Sequence, residues 1–355
     1  MPELTLQVGG RNFAGWEQAS VTLGMEQVSG SFSLTVSDLG KDGALESWRI
    51  VEGDQCKLIW GKTVVITGYV DDVNVDYDSE SHTIQVAGRD RTGDLVDCAA
   101  LYKAGVWHKA KLTRIAADIC APFGIKVILA TDVGSAFQRF SIWPGETAFD
   151  TLERAARMRG VLLLADGQGN LVLARAGKER IATPLVKGGN IERGSGQFSQ
   201  RDRYSTYIVK GQAPGNPLNL DHPEQHLVLK ASSVDEAVKR YRPHVVIAEP
   251  GEGGTYKDRA VWERNVRAGR ASRATYTVAG WEHADGLWLP NRLVTVRDDY
   301  LSLEGESIIA QVRLLLDEES GSRAELELCR KEAFDLISLP DPKARKKKSK
   351  ASLKW

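Results

Sequence analysis

The chain has 355 residues, 42% hydrophobic and 26% charged, with 47 basic and 47 acidic side chains and a formal net charge of zero. That length supports two or three domains with sizeable cores, and no stretch nears the ~20 unbroken apolar residues of a membrane span. The neutral total hides a split: Lys343, Arg345, Lys346, Lys347, Lys348, Lys350 and Lys354 place +7 on residues 343–355, which hold no acid, so residues 1–342 carry −7.

The start, Met1-Pro-Glu-Leu-Thr-Leu-Gln-Val, reads as a strand without the basic-then-apolar order of a signal peptide, so synthesis in a cytoplasm without that export route is expected. Residues 1–98 read as all-β. Leu4, Leu6 and Val8 alternate, Gly9-Gly10-Arg11-Asn12 is a turn signal, and Val21, Leu23, Phe32, Leu34 and Val36 continue the alternation. Val73, Val75 and Tyr77 share one face of a strand whose other face is Asn74, Asp76 and Asp78, as one wet side requires.

Residues 99–176 turn to mixed α/β. Leu112, Ile115, Ala116 and Ile119 keep helical spacing up to Pro122 and Gly124, and a strand follows at Ile125–Leu129. Thr147 with Asp150 three residues on predicts a capped helix burying Phe149, Leu152 and Ala156, with Gly160 at its C-terminal end. The hairpin 161–174 turns at Asp166-Gly-Gln-Gly-Asn170. Further on, strands are predicted at Tyr204–Lys210 and Val245–Ala248, loops at 213–226 and 249–254, and a charged helix at 256–272 with Trp262 and Val266 as its contact face. From Thr275 to about Phe334 the chain is β again, with Ile308, Ala310, Val312, Leu314 and Leu316 on one even-numbered face.

One strand pattern occurs twice. Gly61-Lys-Thr-Val-Val-Ile leads through the tip Ser79-Glu80-Ser81 to Ala87-Gly88-Arg89-Asp90; Gly305-Glu-Ser-Ile-Ile-Ala leads through Glu319-Ser320-Gly321-Ser322 to Cys329-Arg330-Lys331-Glu332. Ile84 and Val86 recur as Leu326 and Leu328, each pair 242 residues apart, and Trp16 and Trp281 share the context Ala-Gly-Trp-Glu, as core or interface anchors of the two copies would. The predicted fold is mainly β with α+β insertions, built on two related small antiparallel β-barrels. Its expected parts are a first barrel at 1–98, an α/β domain at 99–176, a discontinuous second barrel at 177–212 and 275–335, an insertion at 213–274, and a basic, disordered tail at 336–355.

Candidate chemistry is sparse. Cys56, Cys98, Cys120 and Cys329 lie too far apart for a zinc pattern and read as free thiols packed as small apolar groups. Asp71, Asp72, Asp76 and Asp78 lack the central glycine and closing glutamate of a calcium loop. His222 and His226 are separated by Pro223 in a loop, without the glutamate placing of a zinc protease. Gly251-Glu-Gly-Gly-Thr-Tyr-Lys lacks the Gly-Lys-Ser/Thr ending of a phosphate loop. Glu146 and Asp150 border a helix start, where carboxylates favour the positive end of the dipole. No catalytic, cofactor-binding or metal residue is expected. Lys343, Arg345, Lys346, Lys347, Lys348 and Lys350 are the candidate contact for a polyanion or an acidic partner, against a solvated terminus.

In order, Gly10-Arg-Asn-Phe-Ala-Gly-Trp16, Val86-Ala-Gly-Arg-Asp-Arg-Thr-Gly-Asp-Leu-Val-Asp-Cys-Ala-Ala100, Ile115-Ala-Ala-Asp-Ile-Cys-Ala-Pro-Phe-Gly124, Arg201-Asp-Arg-Tyr-Ser-Thr-Tyr-Ile-Val-Lys-Gly211, Arg240-Tyr-Arg-Pro243 and Leu287-Trp-Leu-Pro-Asn291 resemble the baseplate hub family of Mu-like contractile-tailed phages. The resemblance covers most of residues 1–335 and departs at the short, lysine-rich end. It implies a homotrimer whose two barrels per subunit make six around a channel, matching a hexameric tail tube above and a trimeric spike below. DNA would pass without specific binding once the spike is released. Other baseplate proteins would be partners, and the location would be the virion tail, with assembly in the host cytoplasm. R-type bacteriocins use related machinery. Two other readings compete: a nucleic-acid-binding β-barrel protein using the basic tail, and a tail-associated cell-wall hydrolase, for which no paired-carboxylate or metal site is present in the sequence.

Overall fold

The structure, a computed structural model, describes residues 2–37, 50–79, 82–177, 179–212, 227–248 and 256–335. The first seven strands are β1 (Leu4–Val8), β2 (Arg11–Phe13), β3 (Gln18–Gly24), β4 (Ser31–Ser37), β5 (Gln55–Trp60), β6 (Thr63–Tyr77) and β7 (His82–Asp90). Leu4, Leu6 and Val8 are buried in alternation, and Gly9 and Gly10, at φ 55° and 81°, make the tight turn into β2 that a side chain would strain. The long β6 pairs β5 through its first half and β7 through its second, with a bulge between Val70 and Asp72.

Next come α1 (Gly93–Asp97), β8 (Val106–Ala110), α2 (Leu112–Cys120), β9 (Val127–Leu129), β10 (Phe137–Ser141), α3 (Ala148–Arg157), β11 (Leu162–Ala165) and β12 (Leu171–Ala174). The α3 start is the expected capping box: Thr147 Oγ1 accepts from the Asp150 amide at 3.1 Å, and the Asp150 carboxylate accepts from the Thr147 amide at 3.3 Å. Leu112, Ile115, Ala116, Ile119 and Cys120 face Leu152 and Ala155 in a core of their own. Burial pushes the Cys120 thiol up to about 12, which keeps it an inert packing group.

The remainder holds β13 (Glu179–Arg180), β14 (Leu185–Val186), β15 (Ile191–Phe198), β16 (Thr206–Gln212), β17 (Leu227–Val234), β18 (Pro243–Ala248), α4 (Tyr256–Arg270), β19 (Ser272–Ala279), β20 (Glu282–His283), β21 (Gly286–Leu287), β22 (Arg292–Asp298), β23 (Leu303–Asp317) and β24 (Gly321–Cys329). The strand expected near residues 204–210 is β16, which pairs β17 and β18 in a three-stranded sheet. On α4 the buried residues are Ala260, Glu263, Val266 and Gly269, while Trp262 is only half-buried and donates its Nε1 to the Asp335 carbonyl. Glu263 can be buried because Arg259 and Arg267, one turn to either side, reach it at 2.9 and 3.2 Å. A hydrophobic pattern cannot register that neutralisation, so Trp262 stands out in the sequence and Glu263 does not.

One 14-stranded sheet runs β15-β19-β24-β23-β3-β4-β7-β6-β5-β1-β2, with β22 and its partners β13 and β14 branching from β23. Two closed barrels were expected; among the described residues no sheet closes, and the two strand sets meet edge to edge through β23 and β3. Alternation specifies which side of a strand is dry, whereas closure depends on strand number, tilt and stagger together. The even-numbered face of β23 is also divided. A bulge between Ile309 and Gln311 sends Ile309, Val312 and Leu314 into the large core, and Ile308 and Ala310 into a separate cluster with Leu293 and Cys329.

Candidate functional site

The large sheet contains the same four-strand arrangement twice. In each, a 15-residue strand (β6 or β23) with a bulge in its pairing to the next strand turns into a 9-residue strand (β7 or β24), followed in the sheet by β4 then β3, or by β19 then β15. Aligned on the bulges, Val73 opposite Val86 corresponds to Val312 opposite Leu326. Val86 therefore answers to Leu326. The 242-residue spacing finds the right face but slips by one inward-facing position, since the bulges place Val86 and Leu326, 240 residues apart, as counterparts.

The dry side packs as one core. Val21, Phe32, Leu34 and Val86 from the first set and Tyr276, Val312, Leu314 and Leu326 from the second belong to one cluster of buried side chains. Its centre is a stack of Trp60 on Trp281, ring centroids 4.4 Å apart and planes 28° apart. Trp281 Nε1 donates to the Leu315 carbonyl at 2.7 Å. Trp16, also buried, donates to the Phe13 carbonyl at 3.2 Å within the first set. Of the two matched tryptophans, Trp281 touches the other copy.

The wet side is polar without being basic. Ser20, Thr22, Ser31, Ser33, Thr35, Gln85, Thr275 and Thr277 lie on it, and none of the eight strands contains a lysine. Four of the five arginines on these strands, all but Arg193, are matched with acids: Arg89 with Asp71 and Asp97 at 2.7 Å each, Arg323 with Glu192 at 2.8 Å, Arg313 with Glu325 at 3.7 Å, and Arg273 with Glu26 and Glu327. Hydrogen bonding from Arg89 holds the Asp97 carboxyl below its ordinary value.

The acids singled out in the sequence fall on this surface rather than around an ion. Asp71 sits at the β6 bulge against Arg89, and Asp72 and Asp76 are exposed on β6. Among the described residues, no three His, Cys, Asp or Glu side chains come together as a metal site. Glu146 is held by Arg154 at 2.7 Å, which lowers its carboxyl from the ordinary value, and it accepts from the Trp143 amide and the Thr151 hydroxyl. His222, His226, the loop at Gly251 and the basic residues Lys343, Arg345, Lys346, Lys347, Lys348 and Lys350 lie outside the described residues. A cleft of about 510 Å³ between α3, α4 and the end of the described chain is lined by Met25, Phe149, Trp262 and Phe334. Two of its acids, Glu26 and Glu153, are engaged by Arg273 and Arg157.

A polar group that the sequence reading passed over is Asp90, 3% exposed at the end of β7. Its carboxylate accepts from the Gly30 amide, and from the amide (2.7 Å) and hydroxyl of Thr92. Burial outweighs those bonds and pushes the carboxyl up from 3.8 to about 6. The folded chain thus favours the protonated form. The resulting stability is complete below 3.8 and is lost as pH rises through about 6. By 1.36 kcal/mol per unit this is on the order of 3 kcal/mol. Urea unfolding across that window is expected to show the decline in the parent chain and a flatter profile in Asp90→Asn; equal slopes would assign the titration elsewhere.

Comparison with known proteins agrees along the chain. Residues 3–90 match the family described as Mu phage baseplate assembly protein GpP-like, N-terminal; residues 92–175 match baseplate hub protein gp44-like, second domain; residues 254–337 match Mu phage baseplate assembly protein GpP, fourth domain. The baseplate hub protein gp44 of Escherichia phage Mu is 35% identical over 97% of this chain and 92% of its own. The 43 kDa tail protein of prophage MuSo2 from Shewanella oneidensis superposes with a TM-score of 0.83 at 37% identity, covering 94% of this chain and 99% of that one. A tail protein from Neisseria meningitidis MC58 shares the fold at a TM-score of 0.79 and 22% identity, with 94% and 99% coverage. Identity of 35% to a phage Mu hub over nearly the whole chain, with hub and baseplate family domains matched from residue 3 to 337, places the protein in the Mu-type baseplate hub family, structural proteins of the phage tail.

Proposed function

We propose that three copies of this chain close into a ring that joins the tail tube to the central spike and lines the channel through which DNA leaves. The observation carrying this reading is the duplicated four-strand unit within one continuous sheet. Three subunits can offer equivalent contacts to a six-fold tube only if each presents two similar surfaces, and three copies of this chain present six. The two units are unequal at their margins: β1 and β2 extend the first, while β13 and β14 flank the second. A ring of such pairs keeps true three-fold symmetry for a trimeric spike.

The wet face suits a passing polyanion. Unpaired lysines would add salt-sensitive attraction at each phosphate, whereas hydroxyl and amide side chains and acid-matched arginines offer little net pull. In this reading the tube, the spike and other baseplate proteins are the partners, and the ring is assembled in the host cytoplasm before incorporation into the tail. The chain divides into the first β unit to 98, the α/β domain to 176, a second β unit that stops after β15 and resumes at β19, the insertion between them, which takes in β16 because that strand pairs β17 and β18, and the basic end after 335. The mass of the purified chain in solution tests the reading: a trimer supports it, and a monomer, alone and with spike protein added, contradicts it.

A further inference from the structure

We propose that the basic end of the three-stranded β17-β16-β18 sheet is a docking surface for an acidic segment of another protein, with Arg242 as its fixed carboxylate clamp and Tyr241 as its exposed anchor. All three strands start or stop at that end. There the Ser205 amide donates to the Arg242 carbonyl at 2.9 Å and the Asp235 amide to the Ser205 carbonyl at 3.0 Å, which holds loops 199–205 and 235–242 side by side. The two loops carry Arg201, Arg203, Lys239, Arg240 and Arg242 against Asp202, Asp235 and Glu236. Arg203 grips Asp235 with two hydrogen bonds, at 2.6 and 3.0 Å, so that pair neutralises itself. Arg201, Lys239, Arg240 and Arg242 have no acid partner among the described residues.

Arg242 is the best ordered of these by its contacts. Its Nε donates to the Arg203 carbonyl at 3.1 Å, its Nη2 to the Arg201 carbonyl at 2.6 Å, and its amide to the Ser205 hydroxyl at 2.9 Å. The guanidinium also stands 5.3 Å from the centroid of the Tyr204 ring, which stacks on His244 at 4.5 Å. Main-chain carbonyls orient a guanidinium without neutralising it, and the planar fork suits a carboxylate. Other half-buried arginines of the chain meet carboxylates: Arg154 meets Glu146, Arg259 meets Glu263, and Arg273 meets Glu26 and Glu327. At the sheet end the fixed fork is left for a carboxylate from outside the chain.

The surroundings of Arg242 are those of a protein contact. Tyr241, between two arginines, is 90% exposed, and Arg201, Lys239 and Arg240 are exposed beside it. Tyrosine and arginine together dominate the binding energy of protein interfaces. The charge pattern also favours a protein over a nucleic acid. Asp202 and Glu236 are exposed among the cations, which leaves the two loops at only +2. A duplex, charged at every step, would meet those acids as well, whereas a protein segment can set a few carboxylates opposite the arginines alone.

Fluorescence anisotropy tests the surface in the full chain with Lys343, Arg345, Lys346, Lys347, Lys348, Lys350 and Lys354 changed to glutamine, so that the basic end cannot bind in place of the loops. A labelled peptide of about ten residues, alternating glutamate and alanine, is expected to bind saturably and more weakly as salt rises. Lys239→Glu with Arg240→Glu should weaken binding at least about tenfold, and Tyr241→Ala about threefold, with thermal midpoints unchanged because all three side chains are exposed. Arg242→Lys, which keeps the charge and loses the fork, should weaken it about fivefold. A peptide that does not bind, equal binding by the double glutamate variant, or tighter binding of a duplex DNA of matched charge overturns the proposal. None of these readouts depends on the trimer, so the docking surface and the ring can fail separately.

Discussion

Gly68→Ala is expected to destabilise the chain by at least about 3 kcal/mol and to lower its thermal midpoint by about 5 °C or more. Gly68 lies in β6 between Cys56 and Asp90, and an added Cβ would stand 1.9 Å from the Arg89 carbonyl oxygen and 2.5 Å from the Asp90 Cα. Both are main-chain atoms, so no rotamer change relieves the clash. Relief requires β6 and β7 to part at the point where the Asp90 carboxylate gathers Gly30 and Thr92. Gly24→Ala is the matched control: its Cβ would be 3.7 Å from the Ala310 carbonyl, an ordinary contact, and the cost should stay within about 1 kcal/mol. Equal thermal shifts for the two variants would show that close strand approach at Gly68 does not matter.

Trp281→Ala is expected to cost about 4 kcal/mol. The side chain is 1% exposed, stacks on Trp60 and donates to the Leu315 carbonyl, so its loss opens a cavity between the strand sets and removes a buried hydrogen bond. Trp281→Phe keeps part of the stack without the donor and should cost clearly less. A double-mutant cycle with Trp60→Ala isolates the contact, with an expected coupling of about 1 kcal/mol. Additive effects would mean that each ring stabilises only its own strand set.

These two sites differ in how visible they are in the sequence. The matched Ala-Gly-Trp-Glu contexts mark Trp281, while Gly68 looks like any strand glycine until β7 is laid beside it. The two long hairpins were legible because their buried and wet residues alternate on either side of turn-forming tips, and α3 because Thr147 and Asp150 carry the capping pattern. The bulges were not, since an extra residue changes the facing of Ile308 and Ala310 without changing composition. The sheet edge at β15 was obscured for a different reason. Ile191-Glu-Arg-Gly-Ser-Gly-Gln-Phe198 has two glycines, two charges and no alternation, and it is exposed on both faces of the single chain. Its strand character comes from pairing with β19. Sheet closure is equally illegible in a sequence, because it depends on strand number, tilt and stagger together.

Mass measurement in dilute solution reads the central claim most directly, because a duplicated sheet matters for a hub only if three copies assemble. The expected result is a species of three times 39.0 kDa, formed by the chain alone or on addition of spike protein. A species of 39.0 kDa at every concentration, with and without the spike, would contradict it.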